Sequence, residues 1–128
     1  MINNPSNWKV ILVDDEPDSL KLVHDMLTAN GIEVHDAANG SQGLNLFEAV
    51  QPTLVIVDLS MPHPDGWDLL QQLRANPAQR HTPVVAITAY YSDEVERRAR
   101  EAGFSAFVRK PIRVKSFLSV LEGVLNAS

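Results

Sequence analysis

The sequence predicts an α/β domain in which five parallel strands alternate with five helices in a doubly wound sheet. Short apolar runs rich in β-branched residues alternate five times with segments of helical period, which is the pattern of βαβ units. The run at 53–57 is apolar without a break, as expected for a central strand covered on both faces. The 128 residues are the length of one domain.

In the first half of the chain, turn residues separate the predicted elements. Pro17 suits the first turn of the first helix, and Asn30-Gly31 ends that helix. The second strand alternates only partly between apolar and polar residues, which favours an edge position, and Asn39-Gly40 leads into the second helix. The predicted strands are 8–13 and 32–37, and the inner faces of the two helices carry Leu20, Val23, Leu27, Leu44, Phe47 and Val50.

The second half of the chain repeats this order three times. Pro52 precedes the third strand, Pro77 follows the third helix, and Gly103 ends the fourth helix. The last helix is the clearest, because its apolar residues recur at spacings of three and four. The predicted strands are 53–57, 83–88 and 106–108, the fourth helix is 92–102, and the inner faces of the third and fifth helices carry Leu69, Leu70, Leu73, Val114, Phe117, Leu118, Leu121, Val124 and Leu125.

The fourth helix differs from the others because it is strongly charged and has only a thin apolar stripe. Opposite charges four residues apart are expected to form ion pairs on a helix surface. Glu94 with Arg98 and Glu96 with Arg100 have this spacing. Elements with few buried apolar contacts open at a low cost in free energy, so this helix is suited to move during function.

Composition and charge exclude several classes of function. The formal charge of −5 disfavours nonspecific binding to nucleic acid. The absence of cysteine excludes disulfides, thiolate metal sites and thiol nucleophiles, and it fits a reducing compartment. The first residues lack the basic and apolar regions of a signal peptide, and no apolar run reaches the roughly 18 residues of a membrane span. We therefore expect a cytoplasmic protein that binds neither nucleic acid nor membrane.

No internal repeat, low-complexity tract or linker divides the sequence. We expect a single domain over 1–128, with its core at about 8–126 and a short extension at 1–7. No output domain is expected beside it, so any effect is exerted on a separate molecule by a monomer or weak dimer.

Polar and charged residues end or follow four of the five predicted strands. Because the carboxyl ends of parallel strands meet at one edge of the sheet, we expect these side chains to converge there. A carboxylate at the edge of an apolar core costs free energy unless it is compensated, so this edge is predicted to bind a cation, to carry a reactive carboxylate, or both. In chain order the residues are Asp14, Asp15, Asp58, Thr88 and Lys110.

Other polar residues carry weaker indications of function. Tyr90 and Tyr91 follow the fourth strand, and they line this edge or a partner surface, or are ordinary loop aromatics. The histidines show no paired spacing typical of metal ligands, so surface or capping roles are favoured. They are His24, His35, His63 and His81.

The sequence resembles the receiver domain of two-component response regulators over nearly its whole length. The resemblance implies a flavodoxin-like (βα)5 fold with the strand order 2-1-3-4-5. Its motifs are specific in combination because they occur in order and at family-like spacings. They are the strand that ends at Asp14-Asp15, the segment 57–62 followed by Asp65-Gly66, the strand end 87–89, and Lys110-Pro111.

The resemblance implies that Asp58 accepts a phosphoryl group from a histidine kinase or a histidine phosphotransfer protein. It also implies a Mg²⁺ site, for which Mn²⁺ is a possible substitute, and Mg²⁺ does prefer carboxylate and other oxygen ligands. Without the ion, the clustered carboxylates repel one another, so at least one of them should have a raised pKa. The implied metal ligands are Asp14, Asp15, Asp58 and the backbone carbonyl of Ser60.

The resemblance further implies a switch that reads the added phosphoryl charge. Thr88 and Lys110 would contact the phosphoryl oxygens, which are strong hydrogen-bond acceptors. Phe107 stands where the family has an aromatic side chain whose rotamer changes on activation. The surface formed by the fourth helix, fifth strand and fifth helix would then bind a downstream effector protein in trans.

Three other functions are compatible with this fold. A phosphatase or phosphotransferase with an aspartate nucleophile would need a second acid two residues after the nucleophile, where Ser60 stands. A flavin carrier would bind phosphate after the first strand, where Asp14, Asp15 and Glu16 would repel it. A receiver-like docking module regulated without phosphorylation remains open as the alternative. A receiver takes part in phosphoryl transfer and slow autodephosphorylation, but we do not expect an enzyme in the conventional sense.

Overall fold

The computed structural model describes residues 5–127, so residues 1–4 of the expected extension lie outside the described part. A short 3-10 helix, Pro5–Asn7, precedes the first strand. The strands are β1 (Lys9–Val13), β2 (Glu33–Ala37), β3 (Leu54–Asp58), β4 (Val84–Thr88) and β5 (Ala106–Arg109). The helices are α1 (Pro17–Thr28), α2 (Gly40–Ala49), α3 (Gly66–Ala75), α4 (Asp93–Ala102) and α5 (Val114–Asn126).

The five strands form one parallel sheet in the order β2-β1-β3-β4-β5, as expected. The partly alternating second strand is at an edge, and the continuously apolar third strand is in the centre between β1 and β4. Every residue of β3 and β4 is buried, because helices cover both faces of the sheet there. By contrast, β5 is an edge strand in which no residue is fully buried.

Two apolar layers enclose the sheet. One layer packs α1 and α5 on the sheet through residues such as Leu27 and Phe117, and the other packs α2, α3 and α4 through residues such as Phe47, Leu69 and Ala99. Burial of this apolar area is the main contribution to stability, at about 25 cal/mol per Å² removed from water. The layer on α4 is the thinnest, since Ala99 is the only buried residue of that helix.

The helices begin and end at residues that satisfy their free backbone groups. The side chains of Asn39, Asp65 and Ser92 each accept a hydrogen bond from an N–H in the first turn of the following helix. Asp65 and Asp68 form a reciprocal capping box. Gly103 ends α4 with φ of 110°, a left-handed conformation that favours glycine.

Val50 packs against the core as expected, although α2 ends one residue before it, at Ala49. Two expectations about individual side chains were wrong. Val114 is 48% exposed because it is the first residue of α5 and lies before the turns that pack on the sheet. Arg98 lies over the ring of Trp67, 5.5 Å from its centroid, so the expected pair with Glu94 does not form.

Within residues 5–127, no helix has both the length and the hydrophobicity that a membrane span needs.

Candidate functional site

The five residues predicted at the carboxyl edge of the sheet lie together, and we call them the acidic rim: Asp14, Asp15, Asp58, Thr88 and Lys110. Asp58 is the last residue of β3 and Thr88 the last of β4, and both are buried. The strand register places Asp58 beside Ile87, so the ends of the central strands coincide. The shared end of adjacent parallel strands therefore brings together groups that are distant in sequence.

Lys110 connects the carboxylates of the rim. Its Nζ lies 2.9 Å from Oδ2 of Asp58, 3.0 Å from Oδ2 of Asp14 and 3.6 Å from Oε1 of Glu16. The backbone N–H of Lys110 donates to the carbonyl of Thr88 at 2.8 Å, which fixes the chain where it leaves β5. Because the side chains of Lys110, Asp14 and Asp58 are at most 11% exposed, the ion pairs with these two aspartates are weakly screened by water.

Asp14 is fully buried with incomplete hydrogen bonding. Its Oδ1 accepts the N–H of Glu16 at 3.0 Å. Its Oδ2 lies near Lys110 Nζ, but no donor among the described residues reaches it with hydrogen-bond geometry. A buried carboxylate oxygen without a full set of donors is costly, and a cation would satisfy it.

The carboxylates of Asp14, Asp15 and Asp58 form a cluster with the composition of a cation site. One oxygen from each lies within 4.8 Å of the others, which is close enough for a single ion to contact all three. Asp15 is exposed while the other two are buried, so the cluster is open to solvent on one side. This donor set fits Mg²⁺, which binds through carboxylates and keeps several waters.

The protonation of the rim reflects burial more than repulsion. Burial raises the pKa of Asp58 most, and the nearby charge of Asp14 raises it further; the hydrogen bonds from Lys110 and the Ser60 N–H oppose the rise without cancelling it. Burial alone would lower the pKa of Lys110, but its bonds and charge interactions with the two aspartates raise it overall. The expected raised carboxyl pKa is confirmed, although its largest cause is desolvation.

Three hydrogen bonds connect Asp58 to the loop after β4. The Ser60 N–H donates to Asp58 Oδ1 at 2.8 Å, and the Ser60 hydroxyl lies 3.1 Å from the Thr88 hydroxyl. Thr88 Oγ1 also accepts the N–H of Tyr90 at 3.0 Å. A change at Asp58 can therefore reach the β4–α4 loop through a short chain of hydrogen bonds.

Beside the rim, Phe107 on β5 is half-buried and its ring contacts that of Tyr91, with centroids 5.9 Å apart. The guanidinium of Arg109 lies over the ring of Tyr91, with its Cζ 4.5 Å from the ring centroid. These side chains line a groove of about 800 Å³ between α4 and α5, together with residues that include Arg113. We call the groove and its walls the α4–β5–α5 face.

Sequence reasoning missed two contacts of the site. Glu16 approaches Lys110, which its position two residues after Asp14 could have suggested. The contacts of Tyr91 had no indication in the sequence beyond its place after β4. The prediction for the backbone carbonyl of Ser60 stays a prediction.

One histidine lies in a second polar cluster. The Nδ1 of His63 lies 2.5 Å from Oδ2 of Asp68, and Asp65 lies nearby. His63 is exposed, and both aspartates already form the capping box of α3, so this cluster is explained by helix capping.

Comparison with known proteins agrees with this description. The model of the response regulator receiver domain matches residues 10–122. The polar-differentiation response regulator DivK of Brucella anthropi is 32% identical over 117 residues, which are 91% of this chain and 95% of DivK. The structure of the chemotaxis protein CheY4 of Vibrio cholerae is similar, with a TM-score of 0.86 and 26% identity over 91% of this chain and 98% of that one. The BeF3-activated N-terminal receiver domain of Klebsiella pneumoniae RstA gives a TM-score of 0.83, with 26% identity over 91% and 97% of the chains.

The parallel sheet in the order 2-1-3-4-5 defines a flavodoxin-like α/β domain, and the acidic rim lies at the carboxyl edge of that sheet. The chain belongs to the receiver domain family of two-component response regulators. Members of this family bind Mg²⁺ at an acidic pocket, and they interact with histidine kinases or phosphotransfer proteins and with effectors.

Proposed function

We propose that the chain is a phosphoacceptor whose Asp58 is phosphorylated by a histidine kinase or a histidine phosphotransfer protein, in a reaction that requires Mg²⁺. The observation that carries the proposal is the position of Asp58 at the buried end of β3, 2.9 Å from Lys110 and within the three-carboxylate cluster. Asp14 shares the burial and both neighbours, but Asp58 is the carboxylate whose hydrogen bonds lead through Ser60 to Thr88.

The transfer itself is a displacement at phosphorus. One carboxylate oxygen of Asp58 attacks the phosphorus atom of a phosphohistidine, an O–P bond forms, and the P–N bond breaks. The donor imidazole keeps the electron pair of that bond and takes up a proton, and the acyl phosphate remains on Asp58. Lys110 holds positive charge beside the developing oxygen charges.

The metal would be held by Asp14, Asp15 and Asp58, with the carbonyl of Ser60 as a further ligand. When bound, Mg²⁺ supplies positive charge that offsets both the clustered carboxylates and the phosphoryl oxygens. The buried Oδ2 of Asp14 supports this assignment, because it has an ion pair with Lys110 at 3.0 Å but no hydrogen bond of good geometry, and a cation would add a second partner.

Phosphorylation then changes the contacts of Lys110 and Thr88. The new group brings roughly −1.5 to −2 charges and three acceptor oxygens. Lys110 exchanges part of its pairing with Asp14 for a phosphoryl oxygen, and the Thr88 hydroxyl donates to another. Movement of Thr88 alters the space beside Phe107, so the α4–β5–α5 face changes and binds an effector protein in trans.

Acetyl phosphate tests the acceptor directly. We expect intact-mass analysis to show one added phosphoryl group when the protein is incubated with acetyl phosphate and Mg²⁺, and none when Mg²⁺ is chelated. Asp58→Asn should abolish the adduct, while Asp36→Asn, which changes an exposed carboxylate on the edge strand β2, should leave it intact.

Three outcomes would contradict the proposal. An adduct that survives Asp58→Asn would place the acceptor elsewhere, and an adduct that forms equally without Mg²⁺ would remove the cation from the reaction. Absence of any adduct on the native chain, with a folded protein, would favour a docking module regulated without phosphorylation.

A further inference from the structure

We propose that Tyr91 is a positioning residue that holds the α4–β5–α5 face in its unphosphorylated arrangement and is released when Thr88 moves. The inference rests on the proposed function, since it assigns a restraint to the switch that phosphorylation of Asp58 operates. It assigns this restraint to a side chain of the loop between β4 and α4, which lies outside the acidic rim.

The hydroxyl of Tyr91 fastens the loop to the start of α4. It donates to Oδ1 of Asp93 at 2.8 Å and also lies 3.1 Å from Oε1 of Glu96, so two carboxylates share one donor proton. Hydrogen bonds to charged acceptors are stronger than neutral ones. These two bonds raise the pKa of Tyr91 to about 12, so the hydroxyl remains a donor throughout the neutral range.

The ring of Tyr91 fastens the same loop to β5. Phe107 packs against it at a centroid distance of 5.9 Å with the ring planes 57° apart, and the guanidinium of Arg109 lies 4.5 Å from its centroid. Phe107 has no hydroxyl, so it cannot anchor itself by a polar contact. Tyr91 provides the polar anchor on this face, and its ring restrains the aromatic residue beneath it.

The backbone links Tyr91 to the rim. The N–H of the preceding residue, Tyr90, donates to Thr88 Oγ1 at 3.0 Å, and this is the hydroxyl that is proposed to donate to the phosphoryl group. When Thr88 turns toward Asp58, the hydrogen bond from the Tyr90 N–H lengthens, and the loop between β4 and α4 is then free to shift. The anchors of Tyr91 oppose that shift, so they stabilise the unphosphorylated arrangement.

Thermodynamic linkage turns this restraint into a measurable prediction. Any interaction present only in the unphosphorylated arrangement weakens the binding of a phosphoryl analogue by the same factor that it stabilises that arrangement. A net hydrogen bond contributes a factor of about 3 to 10 to such an equilibrium. Tyr91→Phe keeps the ring but removes the hydroxyl, so it should bind BeF3⁻ about three- to tenfold more tightly in the presence of Mg²⁺.

Urea unfolding at a series of BeF3⁻ concentrations with constant Mg²⁺ measures both the stability of each variant and its affinity for BeF3⁻. The stability without BeF3⁻ reports the structural effect of each substitution, and its increase with BeF3⁻ gives the dissociation constant. Tyr90→Phe is the matched control, because Tyr90 is 75% exposed and its hydroxyl makes no hydrogen bond among the described residues. This control should bind BeF3⁻ with unchanged affinity.

A double-mutant cycle tests whether Tyr91 acts through Thr88. Thr88→Val removes the hydroxyl that accepts from Tyr90, so in that background Tyr91→Phe should change BeF3⁻ affinity by less than about 1.5-fold. A gain that persists there would overturn the coupling through Thr88.

Failure of this inference is distinguishable from failure of the proposed function. If native protein and Tyr91→Phe bind BeF3⁻ equally, in an Asp58-dependent manner, then Tyr91 has only a structural role and the inference is wrong while the acceptor stands. If the native protein binds no BeF3⁻ and forms no adduct with acetyl phosphate, both fail together.

Discussion

The acidic rim and the α4–β5–α5 face are neighbours, but the structure supports them differently. The rim stands on β3 and β4, in which every residue is buried, and its charges are held by Lys110 at 2.9 and 3.0 Å. The face stands on the edge strand β5, where the side chains are half-buried or exposed, and on α4, with one buried residue. Its polar contacts are mostly between exposed side chains.

This difference fits a switch in which the phosphorylation site is rigid and the effector-binding surface is deformable. Groups that position a phosphoryl donor need fixed geometry, which buried central strands provide. A surface that changes its shape when only a few contacts break must lie on elements that open at low free-energy cost. The hydrogen-bonded hydroxyl of Thr88 lies where the two regions meet.

The largest expected difference between the two regions is in the free energy of unfolding, when one valine in each is shortened to alanine. Val55→Ala in β3 should lower the free energy of unfolding by about 2–3 kcal/mol, because a fully buried side chain leaves a cavity. Val108→Ala in β5 removes the same atoms from a half-buried position and should cost about 1 kcal/mol. Urea denaturation checks both, and equal losses would show that β5 is packed as tightly as β3.

A smaller effect comes from adding a methyl group at a glycine in each region. A Cβ on Gly66 would lie 2.9 Å from the carbonyl oxygen of Asp58 and 3.0 Å from Leu59, so Gly66→Ala should cost about 1–2 kcal/mol and slow phosphorylation. Gly123 on α5 has nothing within 4 Å of that position, so Gly123→Ala should stabilise the protein by about 0.5–1 kcal/mol. Thermal unfolding and the rate of adduct formation measure these effects, and a neutral Gly66→Ala would show that the loop after β3 yields easily.

Much of the fold could be predicted because its sequence pattern follows from buried geometry. Continuous apolar runs identified β3 and β4 to within one residue at each end, and Gly103 ended α4 as expected. The convergence of the rim residues could also be predicted, since parallel strands end at a common edge. These features depend on backbone topology, which local patterns encode.

Side-chain partners could not be predicted, because they depend on neighbours distant in sequence. Glu96 pairs with Arg100 at 2.8 Å as its spacing predicts, but Arg98, with the same spacing to Glu94, turns to Trp67 on another helix. The contacts of Tyr91 with β5 are likewise tertiary. Spacing on one helix gives an opportunity for contact, and packing decides whether it is used.

The smallest predicted effect is a dependence of stability on pH that arises at Asp58 in the rim. The folded pKa of Asp58 is raised above its ordinary value of 3.8, chiefly by burial. The folded state therefore holds this proton more tightly than the unfolded chain, so the stabilisation is fully present below pH 3.8 and is lost as pH rises through the raised value. Tyr91, with a pKa of about 12, contributes no such slope near neutrality.

The difference between native protein and Asp58→Asn isolates this contribution, because exposed carboxylates whose pKa is lowered, such as Glu33 and Glu96, titrate equally in both. In chelator, the advantage of Asp58→Asn in free energy of unfolding should grow as pH rises from 4 toward 7, in urea titrations at each pH. Mg²⁺ favours the ionised carboxylate, so adding it should flatten or reverse that growth. If the free energies of unfolding of native protein and Asp58→Asn change in parallel with pH in chelator, then Lys110 already neutralises the buried charge of Asp58. The metal-free rim would then carry no more electrostatic strain than the face beside it.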